Sequence, residues 1–121
     1  MKILVTGFTP FGGEQINPSW EAVERLPDRI GEAVLLKREI PTEFDAACAA
    51  LRTAMAELRP DAVLSVGQYG GANCIRVERV AVNLRDARIA DNAGAKPVDE
   101  PVVPGAPDAY FATLPTRRIV E

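Results

Sequence analysis

The chain has 121 residues, enough for one domain with one hydrophobic core. Its residues are 47% hydrophobic and its formal net charge is −3, so the composition is typical of a globular protein and gives no electrostatic reason to expect nucleic acid. No apolar stretch is long enough to span a membrane or to form a signal peptide. We therefore expect a cytoplasmic protein with no nucleic-acid or membrane partner.

Histidine is absent, and the only cysteines are Cys48 and Cys74. Catalytic sites of the Ser-His-Asp and Cys-His types need an imidazole that takes and returns a proton near neutral pH. The 121 residues cannot build such a site alone. Two isolated cysteines also make a poor metal site, so we expect no metal and no cofactor. We interpret Cys48 as a core residue of a helix and Cys74 as structural.

Strands and helices alternate in the first half of the sequence. Apolar runs predict strands at residues 3–5, 33–40 and 62–67. Asn17-Pro18 predicts the start of a short helix ending near Pro27, because Asn is a good N-cap and Pro suits the first helical position. The resulting order predicts right-handed crossovers and an α/β fold: a twisted, mostly parallel sheet with helices on both faces.

The second predicted helix opens at Pro41-Thr42 and ends at Pro60. Its apolar residues keep helical spacing, and they are Phe44, Ala47, Cys48, Leu51, Met55 and Leu58. We expect this spacing to mark the face that packs on the sheet.

Two glycine-rich loops, residues 6–17 and 68–73, follow predicted strands. Ligands of parallel sheets bind at the carboxyl ends of strands, so both loops are candidate binding segments. The first loop contains Phe8 and Phe11 and lacks the spacing of known phosphate loops. Three interpretations stay open: an apolar ligand pocket, a phosphate cradle, and two rings that only plug the end of the sheet.

The second half predicts a hairpin or loop insertion around residues 74–106. Apolar residues stand at odd positions up to Val77 and at even positions from Val80, and a strand keeps one parity on each face. The shift at Glu78-Arg79 predicts a bulge that re-aims a side chain beside a site, or an ordinary turn with two solvated charges. Residues 107–111 are predicted as a helical turn, and Pro115-Thr116 as the start of a last helix.

Several motifs, taken together, resemble a known family. They are residues 5–13 followed by Asn17-Pro18, then Gly67-Gln68-x-Gly70-Gly71, residues 78–83, residues 86–89, and Asp91-Asn92-x-Gly94. Along the whole chain the sequence resembles the N-terminal part of pyroglutamyl peptidase I.

The resemblance implies a cysteine peptidase that hydrolyses the bond after an N-terminal pyroglutamyl residue of a peptide. It also implies a Cys-His-Glu triad without a metal, whose cysteine and histidine belong to a later part of the family's chain. Residues 1–121 would then be a single α/β domain, the N-terminal portion of a longer peptidase domain, and inactive by themselves. Family members commonly associate, so a homo-oligomer is expected.

The same resemblance assigns roles to seven residues. Glu78 is expected to be catalytic, orienting and charge-stabilising the histidine. The expected substrate-binding residues are Phe8 and Phe11, which sandwich the pyrrolidone ring, Asn17 and Gln68, which position the substrate, Ile89, which lines the pocket, and Arg88, which stabilises the oxyanion. An alternative hypothesis is a catalytically dead relative that binds pyroglutamyl peptides or a protein partner.

Overall fold

The structure is a computed structural model that describes residues 1–121. The chain forms two compact units: the first comprises residues 1–69 and 91–95, and the second comprises residues 70–90 and 96–121. The elements of the first unit are β1 (Lys2–Phe8), α1 (Pro18–Glu24), β2 (Arg29–Ile30), β3 (Ala33–Ile40), α2 (Phe44–Leu58) and β4 (Ala62–Ser65). Those of the second are β5 (Val80–Val82), β6 (Ala109–Phe111) and α3 (Thr116–Val120). None of the three helices combines the length and apolar character needed to cross a membrane.

The sheet of the first unit has the strand order β2-β3-β1-β4. The central strand β1 pairs in parallel with both β3 and β4, as the sequence predicts, whereas β2 pairs antiparallel with β3. The predicted bounds of β3 are confirmed, and β4 ends at Ser65, two residues before the predicted end. The sequence did not predict β2, because two residues leave no periodic pattern.

The two helices of the first unit cover opposite faces of this sheet. A core cluster of Val5, Val23 and Leu35 joins α1 to the face formed by odd-numbered residues of β1. The alternate residues Leu4 and Thr6 point to the other face and are also buried. Since β3 and β4 lie on opposite sides of β1, right-handed crossovers place α1 and α2 on opposite faces. The predicted α/β fold is confirmed.

Gly7 explains how closely α1 approaches the central strand. A Cβ atom built at Gly7 would lie 2.6 Å from the Cα atom of Trp20. Any larger residue would therefore have to move the helix backbone, because side-chain rotation cannot relieve such a contact.

The prediction that Cys48 is a core residue is wrong, because its side chain is exposed on α2. The covered stripe of this helix consists of Ala47, Ala50, Leu51, Ala54 and Leu58, which repeat at three and four residues. Cys48 and Met55 are seven residues apart and share a different, exposed stripe. The apolar pattern of α2 is thus wider than the face that the sheet covers.

The second unit contains an antiparallel pair, in which Val80 of β5 lies opposite Phe111 of β6. The predicted bulge or turn at Glu78-Arg79 is wrong: β5 begins only at Val80, so the preceding apolar residues share no strand with it. The predicted helical turn at residues 107–111 is also wrong. Tyr110 and Phe111 are strong strand formers, and β5 supplies the partner strand that the local sequence could not reveal.

The connection between β5 and β6, residues 83–108, lies largely within the predicted insertion. Asn83 fixes it, since the side-chain Nδ2 donates to the Val103 carbonyl at 2.9 Å and Oδ1 accepts from the Val103 N–H at 2.8 Å. Arg85 and Glu100 form a β-bridge, and their side chains form a 3.1 Å ion pair. The last helix, α3, is confirmed as a short element of five residues.

Candidate functional site

The predicted site residues are divided between the two units. Phe8, Phe11, Asn17 and Gln68 lie in the first unit, and Glu78, Arg88 and Ile89 lie in the second.

Phe8 is the last residue of β1 and lies opposite Ile40 of β3. Its backbone N–H donates to the hydroxyl oxygen of Ser19 at 2.9 Å, and Ser19 itself is buried near the start of α1. The helix therefore fixes the end of the strand, and the half-buried Phe8 ring is carried on a rigid backbone.

Asn17 is confirmed as the N-cap of α1, and its side chain is almost completely buried. Its Oδ1 accepts from the N–H of Ser19 at 3.0 Å and from the hydroxyl of Ser19 at 2.8 Å. Its Nδ2 donates to the carbonyl of Thr9 at 3.0 Å. Both polar atoms of the amide are engaged within the chain, so Asn17 holds the β1–α1 loop, residues 9–17, against the helix.

Thr42 ties the start of the β1–α1 loop to the residues that precede α2. Its N–H donates to the Thr9 hydroxyl at 2.9 Å, and its hydroxyl donates to the Thr9 carbonyl at 2.7 Å. Sequence reasoning missed this contact, because the two threonines are 33 positions apart and the local patterns that contain them do not indicate that they meet.

Phe11 is half-buried and lies in the middle of the same loop. Its carbonyl accepts from the N–H of Glu14 at 3.1 Å, closing a turn. The intervening Gly12 and Gly13 have φ values of 63° and 82°, in the left-handed region that glycine tolerates best. The turn therefore favours glycine at the two positions that directly follow Phe11.

Gln68 follows β4 at the carboxyl edge of the sheet. The β1–β4 pairing continues past Ser65, since Val66 N–H donates to the Thr6 carbonyl at 2.8 Å. Because β1 and β4 are parallel, Gln68 and Phe8 both lie at this edge. The Gln68 side chain is exposed, and its amide can both donate to and accept from a ligand.

Glu78 is exposed and stands two residues before β5. The next residue, Arg79, is held by pairing of its carbonyl with the N–H of Ala112 at 2.7 Å. The Arg79 guanidinium lies 5.9 Å from the centre of the Phe111 ring, within cation–π range. A depression of about 140 Å³ is lined by Glu78, Arg79, Val80, Ala81, Tyr110, Phe111 and Ala112. The Glu78 side chain is thus exposed to solvent beside this depression.

Arg88 and Ile89 lie in a bend, and both side chains are exposed. The N–H of Ala87 donates to the Pro97 carbonyl at 2.8 Å, which anchors the segment just before them. Neither residue belongs to the hydrophobic core cluster, and both side chains are accessible to solvent.

The structure contains no group of three His, Cys, Asp or Glu side chains that could hold a metal ion. Cys48 and Cys74 are both unpaired and exposed.

Sequence reasoning also missed Asp91 and Asn92 as contributors to the first unit. Asp91 Oδ2 accepts from the N–H of Phe44, the first residue of α2, at 2.8 Å. Asn92 Nδ2 donates to the Pro10 carbonyl, also at 2.8 Å. The Asp-Asn-x-Gly pattern predicts a local turn, but nothing in it indicates which distant backbone groups the turn would bind.

The whole chain, residues 1–121, matches the family model described as pyroglutamyl peptidase. It is 55% identical over 121 residues to the pyrrolidone-carboxylate peptidase of Thermococcus onnurineus, covering 100% of this chain and 60% of that relative. For the corresponding protein of Gloeobacter violaceus, the identity is 54%, with 99% of this chain and 59% of the relative covered.

A crystal structure of pyroglutamyl peptidase I from Bacillus amyloliquefaciens superposes with a TM-score of 0.95 at 51% identity, covering 98% of this chain and 58% of that one. A mutant pyrrolidone carboxyl peptidase from Pyrococcus furiosus gives a TM-score of 0.95 at 49% identity, covering 99% of this chain and 58% of that one. The chain thus spans about three fifths of the length of its relatives. From its whole-length match, the chain belongs to the pyroglutamyl peptidase family.

Proposed function

We propose that this protein works as a cysteine-type pyroglutamyl peptidase, hydrolysing the bond after an N-terminal pyroglutamyl residue of a peptide. The observation that carries the proposal is the match of all 121 residues to the family, at 55% identity to a pyrrolidone-carboxylate peptidase. Residues 1–121 would be the N-terminal portion of a single peptidase domain.

In this proposal, the carboxyl edge of the sheet in the first unit binds the pyrrolidone ring. Pyroglutamate has no charged α-amine, so an apolar pocket formed by Phe8 and Phe11 suits its ring. The lactam N–H and carbonyl still need partners, because a buried polar group without one costs about 1–3 kcal/mol. Gln68 is the accessible amide that would supply one. Asn17 would act indirectly, by holding the backbone of the β1–α1 loop.

Glu78 would orient the catalytic histidine and stabilise its positive charge during proton transfer. Arg88 would stabilise the oxyanion, and Ile89 would line the pocket. The catalytic thiolate and imidazole have no counterpart among residues 1–121, since histidine is absent and neither cysteine lies at the nucleophile's place in the family motif. The 121-residue chain alone should therefore hydrolyse no pyroglutamyl substrate.

The test is an assay of the full-length gene product with pyroglutamyl-aminomethylcoumarin and, as a matched control, prolyl-aminomethylcoumarin. We expect release of the dye from the pyroglutamyl compound only, because proline lacks the lactam carbonyl that a polar partner would bind. Absence of hydrolysis would contradict the peptidase. If the same protein still bound a pyroglutamyl peptide in isothermal titration, the catalytically dead relative would be the correct alternative.

Two further expectations stay predictions. The family resemblance predicts self-association into a homo-oligomer, which sedimentation velocity of the full-length product would test. A cytoplasmic location is the second, and fractionation of the source cells would test it.

A further inference from the structure

Asn92 links two parts of the first unit that are far apart in the sequence. Its side-chain Nδ2 donates a 2.8 Å hydrogen bond to the carbonyl of Pro10, 82 positions earlier. Its backbone N–H donates to the carbonyl of Thr42 at 3.1 Å. Pro10 has no N–H of its own, so the carbonyl is its only backbone group that can form a hydrogen bond.

Asn92 is itself held in a defined turn by Asp91. The carboxylate Oδ1 of Asp91 accepts from the N–H groups of Ala93 and Ala95, at 2.9 and 2.8 Å. Its Oδ2 accepts from the N–H of Phe44 at 2.8 Å, which fastens the turn to the start of α2. The Asn92 amide is therefore presented to Pro10 from a fixed support.

We propose that Asn92 is a positioning residue that sets the placement of Phe11 relative to Phe8, and hence the affinity for the pyrrolidone ring. This inference rests on the proposed function. Phe8 is fixed by strand pairing and by Ser19, whereas Phe11 follows Pro10 in a loop. The bond from Asn92 is the side-chain contact that restrains the Pro10 carbonyl, at the residue directly before Phe11. Losing it should leave the Phe8 backbone unchanged and loosen Phe11.

The expected kinetic signature is a change in KM. A ring pocket that binds the ground state and the transition state equally raises KM when it is loosened and leaves kcat unchanged. In the full-length gene product, Asn92→Ala should raise the KM for pyroglutamyl-aminomethylcoumarin by about fivefold, the factor expected for loss of one neutral hydrogen bond. A purely structural role would lower the active fraction and hence the apparent kcat, with KM unchanged.

Two variants separate the effect of losing the hydrogen bond from the effect of adding a negative charge. Asn92→Asp keeps the size of the side chain but replaces the donor by a carboxylate oxygen facing the Pro10 carbonyl, so its KM should rise at least as much as that of Asn92→Ala. Ala49→Glu adds the same charge at an exposed position of α2 and should leave KM at the wild-type value. A KM for Asn92→Ala equal to that of the wild type would overturn the proposal.

Amide hydrogen exchange tests the anchoring without any catalysis. In Asn92→Ala, the amide of Glu14, which donates to the Phe11 carbonyl, should exchange about fivefold faster, while those of β1 keep their wild-type rates. Unchanged exchange at Glu14 would overturn the inference even if the enzyme were active. If the wild type hydrolysed nothing but the loop exchange still rose, the proposed function would fail and the anchoring role of Asn92 would stand.

Discussion

The hydroxyl oxygen of Ser19 accepts a 2.9 Å hydrogen bond from the backbone N–H of Phe8. The same hydroxyl donates to Asn17 Oδ1 at 2.8 Å, so one buried side chain satisfies the end of β1 and the N-cap of α1 together. The start of α1 and the end of β1 that carries Phe8 therefore both depend on the Ser19 hydroxyl. We expect substitutions of Ser19 to change the stability of the protein and its affinity for a ligand together.

Replacing Ser19 by Ala should lower the free energy of unfolding by about 1–3 kcal/mol. The substitution leaves the half-buried Phe8 N–H without its acceptor and removes one of the hydrogen-bond donors to Asn17. Urea unfolding followed by circular dichroism measures the difference. Ser65→Ala, at an exposed position of β4, is the matched control and should change stability little. Equal stabilities for the two variants would show that the Ser19 contact contributes nothing.

Replacing Gly7 by Ala should destabilise the protein by about 1–3 kcal/mol, the usual cost of overpacking. The new methyl group would lie 2.6 Å from the Cα of Trp20, and only movement of α1 can relieve that contact. Gly67→Ala is the control, because no atom lies within 4 Å of a Cβ built there. We expect a lower thermal midpoint for Gly7→Ala alone; similar midpoints for both variants would contradict the close approach of α1.

Stability should fall in acid partly through Asp91. The hydrogen bond from the Phe44 N–H lowers the pKa of this carboxyl below its usual range, burial opposes the shift, and the N–H groups of Ala95 and Ala93 reinforce it. Because the folded state has the lower pKa, the stability from ionised Asp91 is present above the unfolded pKa and is lost as the pH falls through the folded pKa. Asp91→Asn should therefore be less stable than the wild type at neutral pH.

The difference between these two proteins should shrink as the pH falls below the ordinary pKa of an aspartate, since protonation removes the charge from the wild type there. Urea unfolding at several pH values measures it. The hydrogen bond and charge interaction with Lys37 also lower the pKa of Asp28, so both proteins lose stability in acid through this second carboxyl. Because both proteins contain Asp28, its effect cancels in the difference between them. A stability difference between wild type and Asp91→Asn that is independent of pH would contradict the role of the carboxylate.

Replacing Phe11 by Ala separates the ring pocket from the phosphate interpretation of the same loop. The loss of the apolar contact should raise the KM for a pyroglutamyl substrate by at least about tenfold, because burying a large apolar side chain contributes about 1.5–3 kcal/mol and about 1.4 kcal/mol corresponds to tenfold. Phe44→Ala, at the start of α2, offers a control of equal size change outside the β1–α1 loop. An unchanged KM, together with binding of inorganic phosphate by the wild type, would favour the phosphate cradle.

The part of the fold that the sequence predicts best is the part where local pattern and tertiary contact agree. Asn17-Pro18 predicted the start of α1, because the cap is formed by neighbours in the chain. The start of β3 follows from the apolar run of residues 33–36, and the strand continues through the exposed Arg38 and Glu39 to the buried Ile40. Cys48 was misplaced because apolar spacing on α2 does not tell which of two adjacent stripes the sheet covers.

The features that the sequence did not predict depend on contacts between residues that are distant in the chain. Tyr110 and Phe111 became a strand only because β5 lies beside them, and a local pattern cannot show that partner. The support for the β1–α1 loop comes from Thr42 and Asn92, 33 and 82 positions from the residues they bind. The roles proposed for Glu78 and Gln68 came from the family resemblance, since an exposed carboxylate and an exposed amide carry no distinguishing signal of their own.

In the proposed function, residues 1–121 supply the ring pocket and the acidic member of a peptidase site. The most direct test joins them to the remainder of the Thermococcus onnurineus relative, beyond the 60% that this chain covers. We predict that this chimaera releases dye from pyroglutamyl-aminomethylcoumarin. Glu78→Gln should lower its kcat by at least about a hundredfold through loss of histidine orientation, while Glu57→Gln on α2 leaves kcat unchanged. An active chimaera whose Glu78→Gln variant kept the full kcat would contradict the claim.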